Sequence, residues 1–306
     1  MSFYFILNLS QYIIQSMKLK NKYFITVVEE KLKSDENIKR KIIIFDGEKE
    51  ILSFDVGKEA SILSVEDGKI FYYMENEIDK REILEYDIKM KQVVNSTPFP
   101  ETKTSLIHIK KNRNKIYYSE DYFFSGIKSY KNKLFEYDLE KRKTRKLFEY
   151  TGEGLPLITQ NEIFFSKNNE IYSFNISNDQ ISYLWKGNTP FNYKKNFVYY
   201  IDENNNIFKK LKNGTGSEKI YTIGKKAKIG GMPVKISDEI YLFIILKPKL
   251  IKVEFDVEDT ELELVNVTTK DKLNISKIYY RSSFFKEYIG LLTNATAMYV
   301  DKEVLR

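Results

Sequence analysis

The sequence offers one side chain of the type that usually transfers protons near neutral pH, the single histidine His108. It lies in the stretch SLIHIKK (105–111), whose alternation predicts a strand with Leu106, His108 and Lys110 on one face. In a strand that lines a channel, His108 could act as a general base. No GxSxG nucleophile motif accompanies it, and a lone histidine in an alternating strand is more typical of a structural or exposed side chain. We therefore assign no catalytic residue.

Metal and cofactor sites find equally little support. With one histidine and no cysteine, zinc sites of the usual histidine and cysteine type are excluded. The best oxygen cluster for calcium is the string from Asp202 to Asn206, DENNN, although such Asn-rich strings are typical of hairpin turns. The glycines of GEG (152–154) and GTG (214–216) lack the phosphate-binding fingerprint. The sequence predicts no metal and no cofactor.

The net charge of +7 raises the question of a polyanionic partner. The basic residues are 43 lysines and only seven arginines, and they are scattered through nearly every turn. Arginine is the residue that recognises phosphates with a fixed fork of donors, so this composition is more typical of a solvated surface. Nucleic acid is therefore the least favoured partner, and a lysine-rich face would be its footprint.

No segment resembles a targeting or membrane sequence. Residues 1–16 are apolar but lack a basic n-region and a small-residue cleavage site. No run approaches the roughly eighteen apolar residues that a membrane helix needs. We expect a soluble protein without a membrane span. The missing signal peptide slightly favours the cytoplasm, but the sequence does not fix a compartment.

A recurring phrase, a lysine or glutamate followed by branched and aromatic residues, indicates the architecture. Consecutive copies start 35 to 47 residues apart, which is the size of one propeller blade. The clear copies are KIFYY (69–73), KIYYS (115–119), EIFFS (162–166), FVYYI (197–201) and EIYLF (239–243).

Each copy belongs to a cassette of four predicted antiparallel strands, A to D, with the phrase in strand B. The third blade shows it most fully, as SLIHIKK, KIYYSE (115–120), KLFEYDL (133–139) and TRKLFEY (144–150). Strand C ends in an aromatic residue, then Asp or Asn, then an aliphatic residue, and the Asx side chain is expected to start the turn into strand D. These endings are Tyr86-Asp87-Ile88, Tyr137-Asp138-Leu139, Phe174-Asn175-Ile176 and Phe255-Asp256-Val257.

The cassettes predict an all-β fold, a β-propeller that forms a single domain over 1–306. Blades two to six cover 59–97, 104–151, 155–187, 190–224 and 231–269, and the last strand D of these is ELELVNV (261–267). Blade one takes its strands from YIIQSM (12–17), KYFITVVEE (22–30), KRKIIIFD (39–46) and KEILSFDV (49–56).

The C-terminal stretch offers three strands for a seventh blade, NISKIYYRS (274–282), FKEYIGLLT (285–293) and TAMYVDKEVL (296–305). The fourth is expected from the N-terminal segment FYFILNL (3–9), which would close the ring and remove free sheet edges. The alternative is six blades with an N-terminal appendage.

The fifth blade, FVYYIDENNNIFKKLKNGTGSEKIYTIG (197–224), resembles the YWTD/TolB-like bacterial β-propeller repeat. Ile207-Phe208 and Asn213-Gly214 fall in step with that repeat, and Tyr199-Tyr200-Ile201-Asp202 corresponds to its tetrad with Tyr in place of Trp. The resemblance covers about five blades, from 59 to 269. It implies a propeller that serves as a binding scaffold, and it carries over no residue known to act.

Long connections between strands B and C suggest which face of the propeller binds a partner. They are EKLKSDENIK (30–39), ENEIDKR (75–81) and EDYFFSGIKSYKN (120–132), whereas those of blades four and five are tight. Hairpin loops usually have two to five residues. Aromatic residues clustered on a loop are typical anchors for a partner, although they could instead cap the core. The predicted partner-binding residues are Tyr122, Phe123, Phe124, Lys128 and Tyr130.

Three functional hypotheses follow. The favoured one is a non-enzymatic binding or assembly scaffold that recognises a protein partner, or alternatively a sugar, through one propeller face. The second is a carbohydrate- or peptide-active enzyme at the channel mouth, which would need clustered carboxylates with displaced pKa values. The third is a polyanion or nucleic-acid binder, with steeply salt-dependent binding.

These assignments predict that His108 is dispensable for function. We expect no stoichiometric zinc, and we expect His108→Ala to leave any binding or activity unchanged within a few-fold, since no partner residue for catalysis is evident. Elemental analysis and a binding or activity assay of the variant test this. Stoichiometric zinc, or loss of a measured activity in the variant, would contradict it.

Overall fold

A computed structural model shows a fold built from β-strands and turns. Among the described residues there is no helix, and so none that is long and apolar enough to cross a membrane. The described residues are 22–31, 38–46, 49–57, 59–76, 80–100, 106–122, 131–151, 156–222, 228–229, 233–235, 240–249, 257–268, 270, 272–274 and 297–301.

The chain divides into two compact units. Unit 1 comprises Met1–Thr102, Ile109–Lys111 and Ser283–Arg306, and unit 2 comprises Lys103–His108 and Asn112–Ser282. Within the described residues, the strands form six antiparallel sheets, most of them with four strands, as the cassettes predict. The assignment of 1–306 to one domain stays a prediction.

The first sheet of unit 1 joins the two ends of the described chain. Its strands are β1 (Lys22–Lys31), β2 (Ile38–Asp46), β3 (Lys49–Val56) and the C-terminal strand β25 (Ala297–Asp301), in the order β25-β1-β2-β3. The predicted strands B, C and D of blade one are therefore confirmed. Strand β25 takes the position next to β1 that we predicted for YIIQSM (12–17), a segment outside the described residues.

The assignment of TAMYVDKEVL to a seventh blade is consequently wrong. Its residues 297–301 pair antiparallel with β1, with Phe24 opposite Tyr299, and cover an edge of β1 that would otherwise be open. This removes one of the three strands on which the seven-blade count depended. The predicted closing strand FYFILNL (3–9) lies outside the described residues, so closure by the N-terminus stays a prediction.

The second sheet of unit 1 confirms blade two. Its strands follow the order of the chain and are β4 (Glu59–Glu66), β5 (Lys69–Glu75), β6 (Arg81–Asp87) and β7 (Gln92–Pro98).

The third, fourth and fifth sheets, which belong to unit 2 apart from residues 109–111 of the first strand, confirm blades three to five. The third sheet contains β8 (Leu106–Asn112), β9 (Lys115–Tyr122), β10 (Lys131–Asp138) and β11 (Lys143–Thr151). The fourth contains β12 (Leu157–Ile158), β13 (Glu162–Lys167), β14 (Glu170–Asn175) and β15 (Ile181–Lys186). The fifth contains β16 (Asn188–Lys194), β17 (Phe197–Ile201), β18 (Asn206–Leu211) and β19 (Glu218–Thr222).

The sixth sheet departs from the prediction. It contains β20 (Lys228–Ile229), β21 (Val234–Lys235), β22 (Ile240–Lys249), β23 (Val257–Asn266) and β24 (Lys272–Asn274). Most of ELELVNV, predicted as strand D, lies in β23 and pairs directly with β22, which makes it strand C and leaves position D to β24. The strand ends in Val265-Asn266-Val267, an Asx ending with valine in the aromatic position. Our aromatic signature missed it and selected Phe255-Asp256-Val257, of which only Val257 lies within the described residues.

The recurring phrase corresponds to strands that are buried on both faces. Four consecutive residues are buried in each of β9, β13 and β17, at 116–119, 163–166 and 198–201. A strand covered on one face only would alternate buried and exposed side chains. The phrase is therefore an unbroken run of apolar and aromatic residues because both of its faces pack against neighbours.

Aromatic and aliphatic clusters fill the spaces between successive sheets of unit 2. The fourth and fifth sheets share a core of Phe164, Ile171, Trp185, Val198 and Tyr200. Similar clusters join the third sheet to the fourth and the fifth to the sixth. This face-to-face stacking of sheets is the packing expected between propeller blades.

One-residue β-bulges interrupt the pairing of strands C and D in each of the first five sheets. The extra residue is always aliphatic: Ile51, Val94, Leu147, Leu184 and Ile220. A bulge bends the outer strand and increases its twist. In unit 2, Leu147, Leu184 and Ile220 belong to, or pack against, the clusters between sheets, so the bulges supply side chains to the core.

The turns use the residues that the sequence indicates. Two-residue hairpins at Asp67-Gly68, Asn168-Asn169 and Lys195-Asn196 have positive φ at both positions, the geometry that matches strand twist. Three of the four predicted Asx turns are confirmed as well. The Oδ1 atoms of Asp87, Asp138 and Asn175 accept from the backbone amides of Met90 at 2.8 Å, Lys141 at 2.9 Å and Ser177 at 2.9 Å, respectively.

Removing β25 should destabilise the first sheet. A chain that ends before residue 297 leaves β1 without five paired residues, which costs on the order of 3–5 kcal/mol at about 1 kcal/mol per backbone hydrogen bond. Urea unfolding measures the loss. The matched control ends at Asp301 and keeps all five paired residues. Equal stability of the two truncated chains would contradict the pairing.

Candidate functional site

The predicted partner-binding loop extends from one hairpin of the third sheet. Strands β9 and β10 pair without interruption from Lys115 and Asp138 as far as Tyr122 and Lys131. The connection is therefore residues 123–130, eight residues rather than the thirteen of the predicted loop, because the strands continue into it. Among the predicted residues only the backbone of Tyr122 is described; Phe123, Phe124, Lys128 and Tyr130 lie outside the described residues.

The hairpins of neighbouring sheets are shorter at the same end. Strands β13 and β14 are joined by two residues and β17 and β18 by four, as predicted. In the sixth sheet β22 and β23 are joined by seven residues, 250–256, which the sequence interpretation did not include among the long connections. Long connections at this end therefore occur in the third and sixth sheets of unit 2.

The hairpin that carries the predicted loop has a rigid base. Ser119, Asn132 and Leu134 are buried, and the rings of Tyr118 and Phe135 stack across the two strands with centroids 5.3 Å apart. Stacked cross-strand aromatic pairs stabilise an antiparallel hairpin by about 0.5–1 kcal/mol.

A buried carboxylate, Glu136, lies in the middle of the same sheet. It accepts hydrogen bonds from Lys115 Nζ at 2.6 Å, from Tyr117 OH at 3.0 Å and from Arg145 Nε at 3.0 Å. The three donors come from strands β9 and β11, which flank Glu136 on both sides. The side chain is 4% exposed, so it depends on these donors in place of water.

Electrostatics keep Glu136 ionised and Tyr117 protonated. Burial by itself would raise the pKa of Glu136, but hydrogen bonds from Arg145, Lys115 and Tyr117 outweigh burial and hold this pKa below its usual range. Burial, together with the adjacent Glu136 charge, raises the pKa of the Tyr117 hydroxyl. A carboxylate held as an anion by three donors is a poor general acid, so this cluster is structural in character.

Arg145 links the third and fourth sheets at the surface. Its second nitrogen, Nη1, donates to Asp179 Oδ2 at 2.7 Å, and Asp179 lies in the turn between β14 and β15. The hydrogen bond to Glu136 is the largest cause of the raised pKa of Arg145. One guanidinium therefore ties a buried carboxylate to a turn of the adjacent sheet.

A cavity of about 340 Å³ is lined by residues of the third and fourth sheets. Three of its rings, from Phe148, Phe165 and Tyr172, form a stack with centroid separations of 4.1 and 5.5 Å. Tyr183, which is 54% exposed, meets Tyr172 edge to face at 5.7 Å. The cavity is lined by Phe148, Glu149, Phe165, Lys167, Asn168, Tyr172 and Ile181.

The structure locates two other candidates from the sequence, His108 and the turn from Asp202 to Asn206. His108 lies in β8, the strand predicted for it, and its side chain is outside the described residues. Asp202 Oδ1 accepts from the backbone amides of Asn204 at 2.9 Å and Asn206 at 2.7 Å, which confirms a hairpin turn. Within the described residues no three His, Cys, Asp or Glu side chains are grouped so that they could hold a metal ion.

No protein-family model matches the chain, and no curated protein matches it in sequence. Solved structures do match. Two crystal forms of an acylaminoacyl peptidase from Pyrococcus horikoshii superpose with TM-scores of 0.52 and 0.51, at 12% and 11% identity, over 81% and 80% of this chain. The chain spans 43% of the length of that peptidase.

Two further structures have lower scores. An oligogalacturonate lyase in complex with manganese has a TM-score of 0.46 at 8% identity, covering 82% of this chain and 73% of that one. The Neurospora crassa Pan2 WD40 domain has a TM-score of 0.46 at 12% identity, covering 68% and 69%. At these identities and scores, the two likenesses carry no conclusion about this chain.

The strands and the structural matches agree on the fold class: the chain is an all-β protein of the β-propeller class. The number of blades and the narrower resemblance to the YWTD/TolB-like repeat stay predictions.

Replacing Glu136 by glutamine should destabilise the protein in a pH-dependent way. The pKa of Glu136 is lowered in the folded state, so the stability that it contributes is fully present above the unfolded value of 4.5 and is lost as the pH falls through the folded value. At pH 7 we expect a loss of about 1–3 kcal/mol, less than for a fully buried pair because Arg145 and Lys115 reach water.

Urea unfolding of Glu136→Gln and the parent protein at pH 7 and pH 3 measures this difference, which should shrink at the lower pH. Glu140→Gln, at an exposed turn position of the same sheet, is the matched control and should change little. A loss of equal size at both pH values would show that the carboxylate charge is not its source.

Proposed function

We propose that the protein is a non-enzymatic binding scaffold that recognises a protein partner through the face carrying the B–C connections. The observation that supports this most directly is the β9–β10 hairpin, whose eight-residue connection includes the predicted anchors Phe123 and Phe124. The same connection has only two and four residues in the two following sheets. A bare scaffold gains nothing from a longer loop, whereas a binding surface does.

The composition of this connection fits a protein partner. Residues 122–130 contain four aromatic residues and one lysine, with one glycine. Aromatic side chains supply large contact areas at a low cost in conformational entropy, and they are enriched among the residues that dominate binding energy. The buried and cross-linked sheet beneath would hold such a loop on a rigid support.

The enzymatic alternative has weaker support. A carbohydrate-active site would require two carboxyl groups with opposed pKa values, one raised to serve as an acid. Glu82, Glu136, Asp138 and Glu218 all have lowered pKa values, because hydrogen bonds from nearby donors favour their anions. The likeness to a peptidase concerns the fold and supplies no active site.

Replacing both anchors tests the proposal. Phe123→Ala combined with Phe124→Ala should weaken capture of the partner at least tenfold, since two aromatic anchors typically contribute about 2–4 kcal/mol. The melting temperature should change by only a few degrees. Quantitative pull-down from native lysate with mass spectrometry identifies the partner, and titration of the purified partner then measures its affinity for parent and variant.

The matched control is Met90→Ala with Val93→Ala, which removes two large exposed apolar side chains from the second sheet and should leave capture unchanged. If the Phe123 and Phe124 variant unfolds, the rings belong to the core and do not bind a partner. If capture and melting are both unchanged, the interface lies elsewhere.

A further inference from the structure

The positive charge of the protein is concentrated in one segment. Residues 186–228 contain ten lysines, no arginine and three acidic residues, a formal charge of +7. The other 263 residues contain 40 basic and 40 acidic residues, so the segment accounts for the entire net charge of +7. Basic stretches such as KRKTRK (141–146) occur elsewhere, but outside residues 186–228 the basic residues are balanced overall by acidic ones.

Within the fifth sheet the lysines lie toward one end. The A–B turn contains Lys195, and the C–D turn begins at Lys212, whose backbone amide donates to Asn196 O at 2.9 Å. The two turns are therefore adjacent. The opposite end of the sheet, at the B–C turn, contains the acidic residues Asp202 and Glu203. Within the fifth sheet, charge is thus segregated along the strands, with the positive end away from the B–C turn. Four other lysines of the segment precede or follow the strands of this sheet along the chain: Lys186, Lys225, Lys226 and Lys228.

We call the group Lys195, Lys210, Lys212 and Lys219 the basic end. Strand pairing places Lys210 opposite Val198, and Lys219 opposite Phe208, so these side chains lie within a few residues of the adjacent turns. Within the part of the chain that the structure describes, no carboxylate forms an ion pair with Lys195, Lys210 or Lys219. Lys212 is paired with Glu162 of the fourth sheet.

The carboxylate of Glu218 shows that nearby lysines stabilise a negative charge in this region. Glu218 accepts from Lys209 Nζ at 2.7 Å and from Lys270 Nζ at 2.7 Å. Hydrogen bonds from Lys209 and then Lys270 lower the pKa of Glu218 to about 2. A carboxylate in this region is therefore strongly favoured as its anion.

The aromatic rings of this region are covered by lysines. Lys210 Nζ lies 4.9 Å from the centroid of Trp185, and Lys219 Nζ lies 5.8 Å from that of Phe208. Trp185 itself is buried. Single-stranded nucleic acids need open ring faces on which bases stack, and these rings are covered. The absence of arginine from 186–228 also disfavours phosphate recognition by a bidentate fork.

We propose that the basic end binds an acidic segment of a partner protein, rich in aspartate and glutamate. Lys219 pairs with Phe208, so it lies diagonally across the two strands from Lys210, a separation of about 7–8 Å. Alternate carboxylates of an extended polypeptide are about 7 Å apart, so one acidic segment can meet both ammonium groups. This surface is additional to the aromatic loop and lies toward the other end of the strands.

The test uses the full chain and a fluorescein-labelled peptide of twelve glutamates, followed by fluorescence anisotropy at 50 and 200 mM NaCl. The parent protein should bind the peptide, and binding should weaken with salt because it rests on exposed charges. The triple variant Lys195→Gln, Lys210→Gln and Lys219→Gln should bind at least about tenfold more weakly at 50 mM NaCl. Thermal melts establish that each variant is folded.

The control triple variant is Lys89→Gln, Lys91→Gln and Lys141→Gln, which removes the same charge at exposed turn positions of the second and third sheets. It should retain the parent affinity within about twofold. Equal losses in both triple variants would overturn the proposal, because net charge alone would then explain binding. Absence of peptide binding by the parent would overturn it as well.

A labelled twelve-nucleotide oligothymidylate of similar charge distinguishes the class of partner. It should bind the parent more weakly than the glutamate peptide. Tighter binding of the oligonucleotide, lost in the basic-end variant, would overturn the acidic polypeptide in favour of nucleic acid.

Discussion

Burial of the inner strands on both faces is the constraint on which the rest of this structure depends. In unit 2, four consecutive residues of β9, β13 and β17 are buried, so neither face of these strands has room for a charged side chain. The requirement for large apolar and aromatic residues at every position produces the recurring phrase. Because the inner strands are buried on both faces, most polar and charged side chains lie at strand ends, in turns and on outer strands.

Glu136 shows what an exception requires. A carboxylate in the middle of a sheet loses its hydration, and it is retained because Lys115, Tyr117 and Arg145 replace water. Sequence reasoning did not identify it, because a glutamate between Phe135 and Tyr137 has the alternation of a strand with one exposed face. The pairing of Glu136 with Tyr117 and Arg145 depends on register, which only the assembled sheet supplies.

The strands that depend on local pattern could be predicted, and those that depend on distant pairing could not. Blades two to five follow from alternation and Asx turns within about 45 residues. The pairing of β25 with β1 joins residues some 275 positions apart, and nothing in the sequence of either strand indicates the other as its partner. The error in the sixth sheet has a local cause, since Val265 replaces the aromatic residue of the strand C ending. The bulges were missed because one extra residue at Leu147 or Leu184 looks like continued apolar pattern.

The candidate site was predictable to a lesser degree for the same reason. An irregular loop has no periodic pattern of apolar residues. Its position can be predicted from the strands around it, but its own contacts cannot. The β9–β10 pairing shortened the expected connection by continuing to Tyr122 and Lys131, because hydrogen bonding between strands proceeds as long as side chains permit it. The concentration of lysines in 186–228 was visible in composition, but its significance appears only when the turns at Lys195 and Lys212 are adjacent.

In those lysines, one side chain both carries a positive charge and packs against an aromatic ring. Outer strands need apolar cover on their aromatic rings, and a lysine stem provides it while the ammonium group stays in water. Lys210 of the fifth sheet covers Trp185 of the fourth in this way, and Lys219 covers Phe208 within the fifth sheet. Replacing lysine by glutamine removes the charge but keeps part of the methylene chain that covers the ring. Replacing it by alanine would remove both, so that a loss of binding could not be separated from a loss of ring packing. A surface can therefore become strongly basic without weakening the sheet beneath it, because the methylene groups of each lysine shield the aromatic rings from water.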